Sequence, residues 1–151
     1  DAAGDGGGMD PLQACLSSLW IYAPSFLEAQ HQTGETEVDA MLDVYRSHSA
    51  STVLAIKDGE RGAWLDDGDS RFHQLAIEPP DGGFVDSIGA GDAFVAGLTA
   101  AMLRGLPVKE AAVLAAANAA LSLTQSGGWG GAVAWVELLG FAASAKAVPP
   151  A

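Results

Sequence analysis

The sequence predicts a layered α/β fold. Three observations carry that expectation: short β-type runs and longer apolar helical patterns succeed one another, no segment repeats, and the composition suits a compact core. Of the 151 residues, 49% are apolar and 17% charged, which is enough to bury a core and too little charge for a disordered chain.

The elements follow in order. Residues 1–8 (DAAGDGGG) are a turn-forming lead-in. Residues 10–18 place Leu12, Cys15 and Leu16 at helical spacing, so Cys15 is expected to be a buried structural thiol. As the single cysteine it excludes an internal disulfide and a cysteine-based zinc site. Trp20 to Ala23 reads as a brief buried strand that Pro24 ends. A helix over 26–32 follows with Ser25 as N-cap, and a second over 37–48 with Thr36 as cap and Val38, Met41, Leu42 and Tyr45 on its apolar face.

A β-rich stretch comes next: a strand at 51–58, the turn DGERG, a strand through GAWLDD, the turn DGDS and a strand through RFHQLAI. Two apolar helices are expected over 92–104 and 108–124, with Gly105 and Pro107 as stop and start signals. GGWGG (127–131) is a loop, a last helix covers 133–144, and the remaining residues form a tail. Trp64 and Trp135 sit in apolar patterns and are expected in the core.

Charge narrows the function classes. A net charge of −12 with seven Lys and Arg in the chain argues against sequence-independent nucleic-acid binding, which needs clustered cations. A nucleotide is still compatible, because backbone N–H groups and one Mg²⁺ can meet its phosphates. No apolar run approaches the ~18 residues of a membrane span, and no basic leader is visible, so no membrane partner is expected and the default location is cytoplasmic. His31, His48 and His73 share no metal-ligand spacing.

The chemistry concentrates in Val85-Asp86-Ser87-Ile88-Gly89-Ala90-Gly91-Asp92-Ala93-Phe94. Gly89, Ala90 and Gly91 let the backbone turn sharply and approach a ligand closely. The helix that opens at Asp92 points unsatisfied N–H groups and partial positive charge at that spot, which suits phosphate oxygens. Asp92 stands at the mouth of this anion site, where its carboxylate can accept the proton of an attacking hydroxyl. The same residues also read as a plain turn and a helix cap.

These ten residues resemble the second signature of the PfkB (ribokinase-like) carbohydrate kinases, Asp-Thr-x-Gly-Ala-Gly-Asp-x-Phe, with Ser87 in place of Thr. The resemblance implies a doubly wound, three-layer α/β/α fold and ATP-dependent transfer of the γ-phosphate to a hydroxyl of a sugar or sugar acid. It implies Asp92 as catalytic base and Gly89, Ala90 and Gly91 as the anion hole. Upstream, Lys57-Asp58-Gly59-Glu60-Arg61-Gly62 resembles the family's Thr-Leu-Gly-x-x-Gly turn. Lys57, Gly59 and Gly62 are then nucleotide-binding, with Lys57 replacing Thr and able to meet a phosphate as a point charge.

Pro24-Ser25-Phe26-Leu27-Glu28 resembles the family's Pro-Asn-x-x-Glu element, which implies that Glu28 helps hold Mg²⁺ through water. Ser25 replaces the Asn, and Ser25-x-x-Glu28 is equally a capping box. Gly127-Gly128 stands where the family has Gly-Ala and assigns Gly127 to the nucleotide. Ala116 occupies the helix position where the family often has Asn or His, so adenine is expected to be held by apolar and backbone contacts. The loop around Trp129 departs from the family pattern. Asp86 and the Ile88 carbonyl occupy positions where some members bind K⁺.

The resemblance runs from about residue 19 to 128, and members of the family are about twice this length. Residues 1–151 are therefore expected to be one partial domain, the C-terminal nucleotide-binding half, with the N-terminal half and lid absent and the fragment alone inactive. A homodimer is the expectation for the full-length protein. The reading from a different class is a non-catalytic nucleotide-binding or regulatory module derived from such a kinase.

Overall fold

The computed structural model describes residues 9–80 and 83–149; the lead-in at 1–8, part of the loop at 79–83 and the end of the tail lie outside the described residues. The chain divides into two compact units, one of residues up to 58 together with 63–73, the other of 59–62 together with residues from 74 onward.

The first unit contains α1 (Met9–Leu16), β1 (Ile21–Tyr22), α2 (Phe26–Thr33), α3 (Val38–His48), β2 (Val53–Lys57), β3 (Ala63–Asp66) and β4 (Arg71–Gln74). The four strands form one sheet in the order β1-β2-β3-β4. β1 runs parallel to β2 with Ile21 opposite Val53, and β2 runs antiparallel to β3 with Ile56 opposite Trp64. Val53, Leu54, Ala55 and Ile56 are all buried, as an uninterrupted apolar run in a strand covered on both faces must be.

Leu16, Ala29, Met41, Leu42, Tyr45, Leu54 and Ile56 make the core of this unit. Truncating Ile56 to Ala would cost about 3 kcal/mol, since the surrounding structure fills such a void only in part. Most polar groups inside are paired, with buried Arg46 Nε an exception among the described residues. The hydroxyls of Tyr22 and Tyr45 both donate to Gln32 Oε1 at 2.7 and 2.6 Å. Asp66 accepts from Arg46 and from Arg71 Nε at 2.9 Å, and Arg71 reaches on to Asp43 at 2.7 Å. Burial pushes the Asp66 carboxyl up, but the hydrogen bonds from Arg46 and Arg71 outweigh it and hold the group below its ordinary value.

Local expectations need correction here. Cys15 is exposed: Leu12 and Leu16, four apart, share the inward face of α1, and Cys15 sits to one side of that stripe. Trp20 is 47% exposed, and the strand after it is two half-buried residues long. Helix α3 has Glu37 rather than Thr36 as its N-cap, with no side-chain hydrogen bond there. Trp64 is half-buried and stacks on His73, centroids 3.9 Å apart and planes 5° from parallel. The strand expected over 71–77 ends at Gln74.

The second unit is built on α4 (Ala90–Leu103), α5 (Val108–Ser122) and α6 (Trp135–Ser144). Helices α4 and α5 approach closely through small residues. A methyl on Gly97 would lie 2.9 Å from Ala115 Cα, and Leu98, Ala101, Ala111, Ala112 and Ala115 are all buried. The Arg104 guanidinium lies 4.1 Å over the half-buried ring of Trp135, a cation–π contact that gives this Trp a partner at the edge of the unit and not in its core.

Residues 76–78 are tied to the tail: Ile77 bridges Ala147, Glu78 N–H donates to Lys146 at 2.9 Å and Val148 N–H to Ala76 at 2.8 Å. Gly62 packs so tightly on Gln74 and Ala76, at φ +92°, that no side chain fits. Among the described residues, no helix is long and apolar enough to cross a membrane.

Candidate functional site

The Gly-rich turn sits in the second unit. Helix α4 starts two residues earlier than its composition suggests, at Ala90, because Gly89 takes the N-cap position at φ +81°. A side chain at Gly89 would also collide with the Gly128 backbone. Asp92 is consequently the third residue of the helix and not its cap, with an exposed carboxylate in the first turn. The helical ladder opens with Ala93 N–H to Gly89 O at 2.8 Å, and Ala90 N–H folds back on Ser87 O at 3.2 Å. The N–H groups of Gly91 and Asp92 precede that ladder and lie at the positive end of a 14-residue helix, where an anion is stabilised.

A second segment is fastened to this turn. Asp86 accepts from Ile88 N–H at 3.0 Å with Oδ1 and from Gly127 N–H at 3.1 Å with Oδ2. These bonds, Ile88 first and Gly127 second, hold the Asp86 carboxyl below the usual carboxylate range. Val85 N–H donates to Leu123 O at 2.8 Å. The expected phosphate residues 89–91, Asp86, Ile88, Asp92 and Gly127 are thus brought together by two loops pressed against each other at Gly89 and Gly128.

Beside Asp92 opens a cavity of about 220 Å³ lined by Asp92, Ala93, Ala96, Asn118, Ser122 and the loop residues Gly128, Trp129, Gly131 and Ala132. Asn118 Nδ2 donates to Ala93 O at 2.8 Å and Ser122 Oγ to Ala119 O at 2.7 Å. Ser122 lies in the segment 119–124 that, with Gly127-Gly128, resembles the family's adenine-side helix and loop, whereas no role is expected for Asn118 or Trp129 from sequence. The signal was there: two polar side chains four residues apart on an Ala-rich helix share one face, and that helix runs into a Trp set between glycines.

In the first unit, parallel pairing of β1 and β2 continues into a bridge between Ser25 and Lys57, with Lys57 N–H donating to Pro24 O at 2.9 Å. Two motifs thirty-odd residues apart in sequence are therefore neighbours. Ser25 caps α2 and Glu28 completes the box: Glu28 N–H donates to Ser25 Oγ at 3.3 Å and Ser25 N–H to Glu28 Oε2 at 2.7 Å. The backbone N–H of Ser25, chiefly, holds the Glu28 carboxyl below its ordinary value, and Lys57 adds to the effect. The turn after Lys57 closes by Gly62 N–H to Gly59 O at 3.0 Å around a short 3₁₀ segment, Gly59–Arg61, with both glycines at positive φ.

The donor set suits Mg²⁺ held chiefly by a nucleotide. No cluster of three or more His, Cys, Asp or Glu that could cage a metal exists among the described residues. Glu28 is an ionised carboxylate with only Oε2 in the capping bond, which leaves it able to accept a hydrogen bond from metal-bound water.

The fold is that of the ribokinase-like α/β/α kinases. Ribokinase from Arabidopsis thaliana, solved with ribose and ATP, matches 86% of this chain at 26% identity and a TM-score of 0.77. An Escherichia coli protein given the provisional name Ribokinase II, solved with ATP and Mg²⁺, matches 89% at 25% identity and a TM-score of 0.77. The pattern of the pfkB family carbohydrate kinases matches residues 1–132, and the chain belongs to that family. Among characterised relatives it is 31% identical over 129 residues to 2-dehydro-3-deoxygluconokinase of Bacillus subtilis. The chain spans about two-fifths of the length of that relative and of both solved structures: 39%, 43% and 42%.

Proposed function

We propose that the protein carrying this chain is an ATP-dependent kinase that phosphorylates a hydroxyl of a sugar or sugar acid, and that these residues are its C-terminal, nucleotide-binding half. The observation that carries the reading is the start of α4: free backbone N–H groups at Gly91 and Asp92 beside the Asp92 carboxylate, in one turn of one helix. Phosphoryl transfer needs little covalent help from a protein. It needs charge stabilisation at the phosphoryl oxygens and a group to take the hydroxyl proton.

In this mechanism the γ-phosphate oxygens lie at the helix N-terminus and Asp92 accepts the proton as the hydroxyl oxygen attacks. Gly89, having no side chain, lets the phosphate turn close against the Gly128 backbone. Lys57 adds a point charge toward the phosphates, and Gly59, Gly62 and Gly127 supply close backbone approach to the nucleotide. Bound Mg²⁺ would neutralise charge on the phosphates, with Glu28 orienting its water. Asp86 and the Ile88 carbonyl are the groups that would hold a K⁺ ion, a role tested by comparing rates in K⁺ and Na⁺ at equal ionic strength.

Ser25 favours one other reading. The family's Asn is missing there, as a non-catalytic nucleotide-binding module would tolerate. The deciding experiment measures ATP binding and ADP release on the natural gene product with ribose, fructose and 2-dehydro-3-deoxygluconate. Binding with turnover supports the kinase; binding without turnover on any acceptor supports the module.

A further inference from the structure

We propose that Asn118 is a positioning residue for the reaction: its side-chain amide holds the first turn of α4, and with it Asp92, at the angle that proton transfer needs. The inference rests on the reading of Asp92 as the base.

Asn118 is out of place by composition. It is the only polar residue between Glu110 and Ser122 in an Ala-rich helix. Asn is a poorer helix former than the Ala on either side of it, because its side chain competes for backbone hydrogen bonds. Helix stability alone does not account for it. The half-buried side chain instead reaches the neighbouring helix, where Nδ2 donates to Ala93 O at 2.8 Å. In the ladder of α4 that carbonyl also takes the Gly97 N–H, and Asn118 uses its second lone pair. The packing leaves little slack at this level. A methyl on Gly97 would lie 2.9 Å from Ala115 Cα and 3.0 Å from Asn118 Cβ.

Ala93 is the residue after Asp92. The stretch from Ala90 to Asp92, which carries the anion-binding N–H groups and the carboxylate, is therefore fixed at both ends. The Gly128 backbone holds it at Gly89, and Asn118 holds it at Ala93. Both anchors come from α5 and the loop that follows it. The two functions of the turn differ in what they demand. N–H groups at a helix end attract a phosphate over a range of angles, whereas a base must stand within hydrogen-bond reach of one proton. A displacement of about 1 Å can cost about 100-fold in rate. Cutting the Asn118 bond should thus be felt in turnover and hardly in ATP binding. Asn118 also lines the cavity beside Asp92, so direct contact with the nucleotide is the competing role.

The test is a double-mutant cycle in the natural protein that carries these residues. Ribose, fructose and 2-dehydro-3-deoxygluconate serve as acceptors, and kcat is taken per ATP site counted by calorimetry. Asn118→Ala alone is expected to lower kcat at least tenfold, with the KM values for ATP and acceptor within threefold of wild type. In the Asp92→Asn background the same change should lower kcat less than threefold, because a residue acting through Asp92 has nothing left to position. A tenfold loss in both backgrounds would show a structural role only, and a rise confined to the ATP KM would make Asn118 a nucleotide contact. Either result, or an unchanged kcat, overturns the proposal. If the wild type turns over none of the acceptors, the kinase reading fails by itself and amide exchange decides the tie. Exchange tenfold faster over residues 93–97 in Asn118→Ala, with 98–103 unchanged, would uphold Asn118 as the anchor of the turn. Exchange unchanged, or faster along the whole helix, would end it.

Discussion

The Asp86 carboxylate accepts the Gly127 N–H at 3.1 Å and so joins the turn before α4 to the loop after α5. Replacing Asp86 with Ala should free that loop, speed amide exchange at Gly127 and weaken ATP binding, since the nucleotide would have to order the loop itself. The folded-state pKa of Asp86 lies below its ordinary value. The tie is therefore complete above the ordinary carboxylate pKa and is lost as pH falls through the lowered one. Amide exchange that is unchanged in Asp86→Ala would show that the loop holds its place without the tie.

Asp92→Asn in the natural protein should lower kcat at least a hundredfold, the lower end of what a general base contributes (about 10²–10⁴). ATP affinity should stay within about threefold, because Asn has the same size and leaves the backbone donors of Gly91 and Asp92 in place. Steady-state kinetics alongside calorimetric ATP titration separate the two quantities. A rate within tenfold of wild type would take the proton-accepting role away from Asp92.

Glu28→Gln preserves the hydrogen bond from Ser25 N–H and removes only the charge. It should raise the Mg²⁺ concentration for half-maximal rate several-fold with little change in melting temperature. An unaltered Mg²⁺ dependence would leave the residue with the helix cap alone.

How legible this arrangement was depended on whether its determinants were local. The capping box at Ser25 and Glu28 involves four consecutive residues and reads directly from sequence; the structure has it as expected. The start of α4 was misplaced by two residues because the positive φ of Gly89, enforced by Gly128 across the fold, decides it. The strand through RFHQLAI ends early because Ile77 finds its partner in Ala147, a pairing no local pattern encodes. Cys15 and Trp135 were misjudged for a related reason: a short apolar pattern gives the period of a helix but not how wide its buried stripe is.

The ion-pair cluster of Asp66, Arg46 and Arg71 escaped the sequence reading, its members being scattered over α3, β3 and β4. Asp66→Asn should destabilise the protein at pH 7 by about 2 kcal/mol, the scale of hydrogen bonds to a charged group, reduced by the part-exposed arginines. The Asp66 carboxyl is held below its ordinary value, so its contribution is present above that ordinary value and fades as pH drops through the lowered one. Melting temperatures of wild type and Asp66→Asn should converge at a pH below that lowered value, where the carboxyl is protonated in the folded and unfolded states alike. Curves that stay parallel down to that pH would assign the loss to packing and not to charge.

The last prediction concerns these 151 residues expressed by themselves. β1 is the outer strand of its sheet, two residues long and paired on one side to β2. Among the described residues its other side has no strand partner, and the neighbouring Trp20 is exposed. Parallel strands of this kind are ordinarily paired on both sides and covered on both faces, and an uncovered edge templates association with another chain. In the second unit Phe84, Val85, Ile88, Leu103, Trp129 and Val136 are each more than half exposed, an unusual apolar load for a self-sufficient monomer. The isolated chain should therefore self-associate, eluting as species above monomer mass in size-exclusion chromatography with light scattering. It should also release no ADP with ribose, fructose or 2-dehydro-3-deoxygluconate, because on the proposed reading the groups that fix the acceptor at reacting distance belong to the other half of the kinase, and that positioning is worth many orders of magnitude in rate. A stable monomer that turns over any of these acceptors would show that residues 1–151 suffice for catalysis and would refute their assignment as half of a kinase.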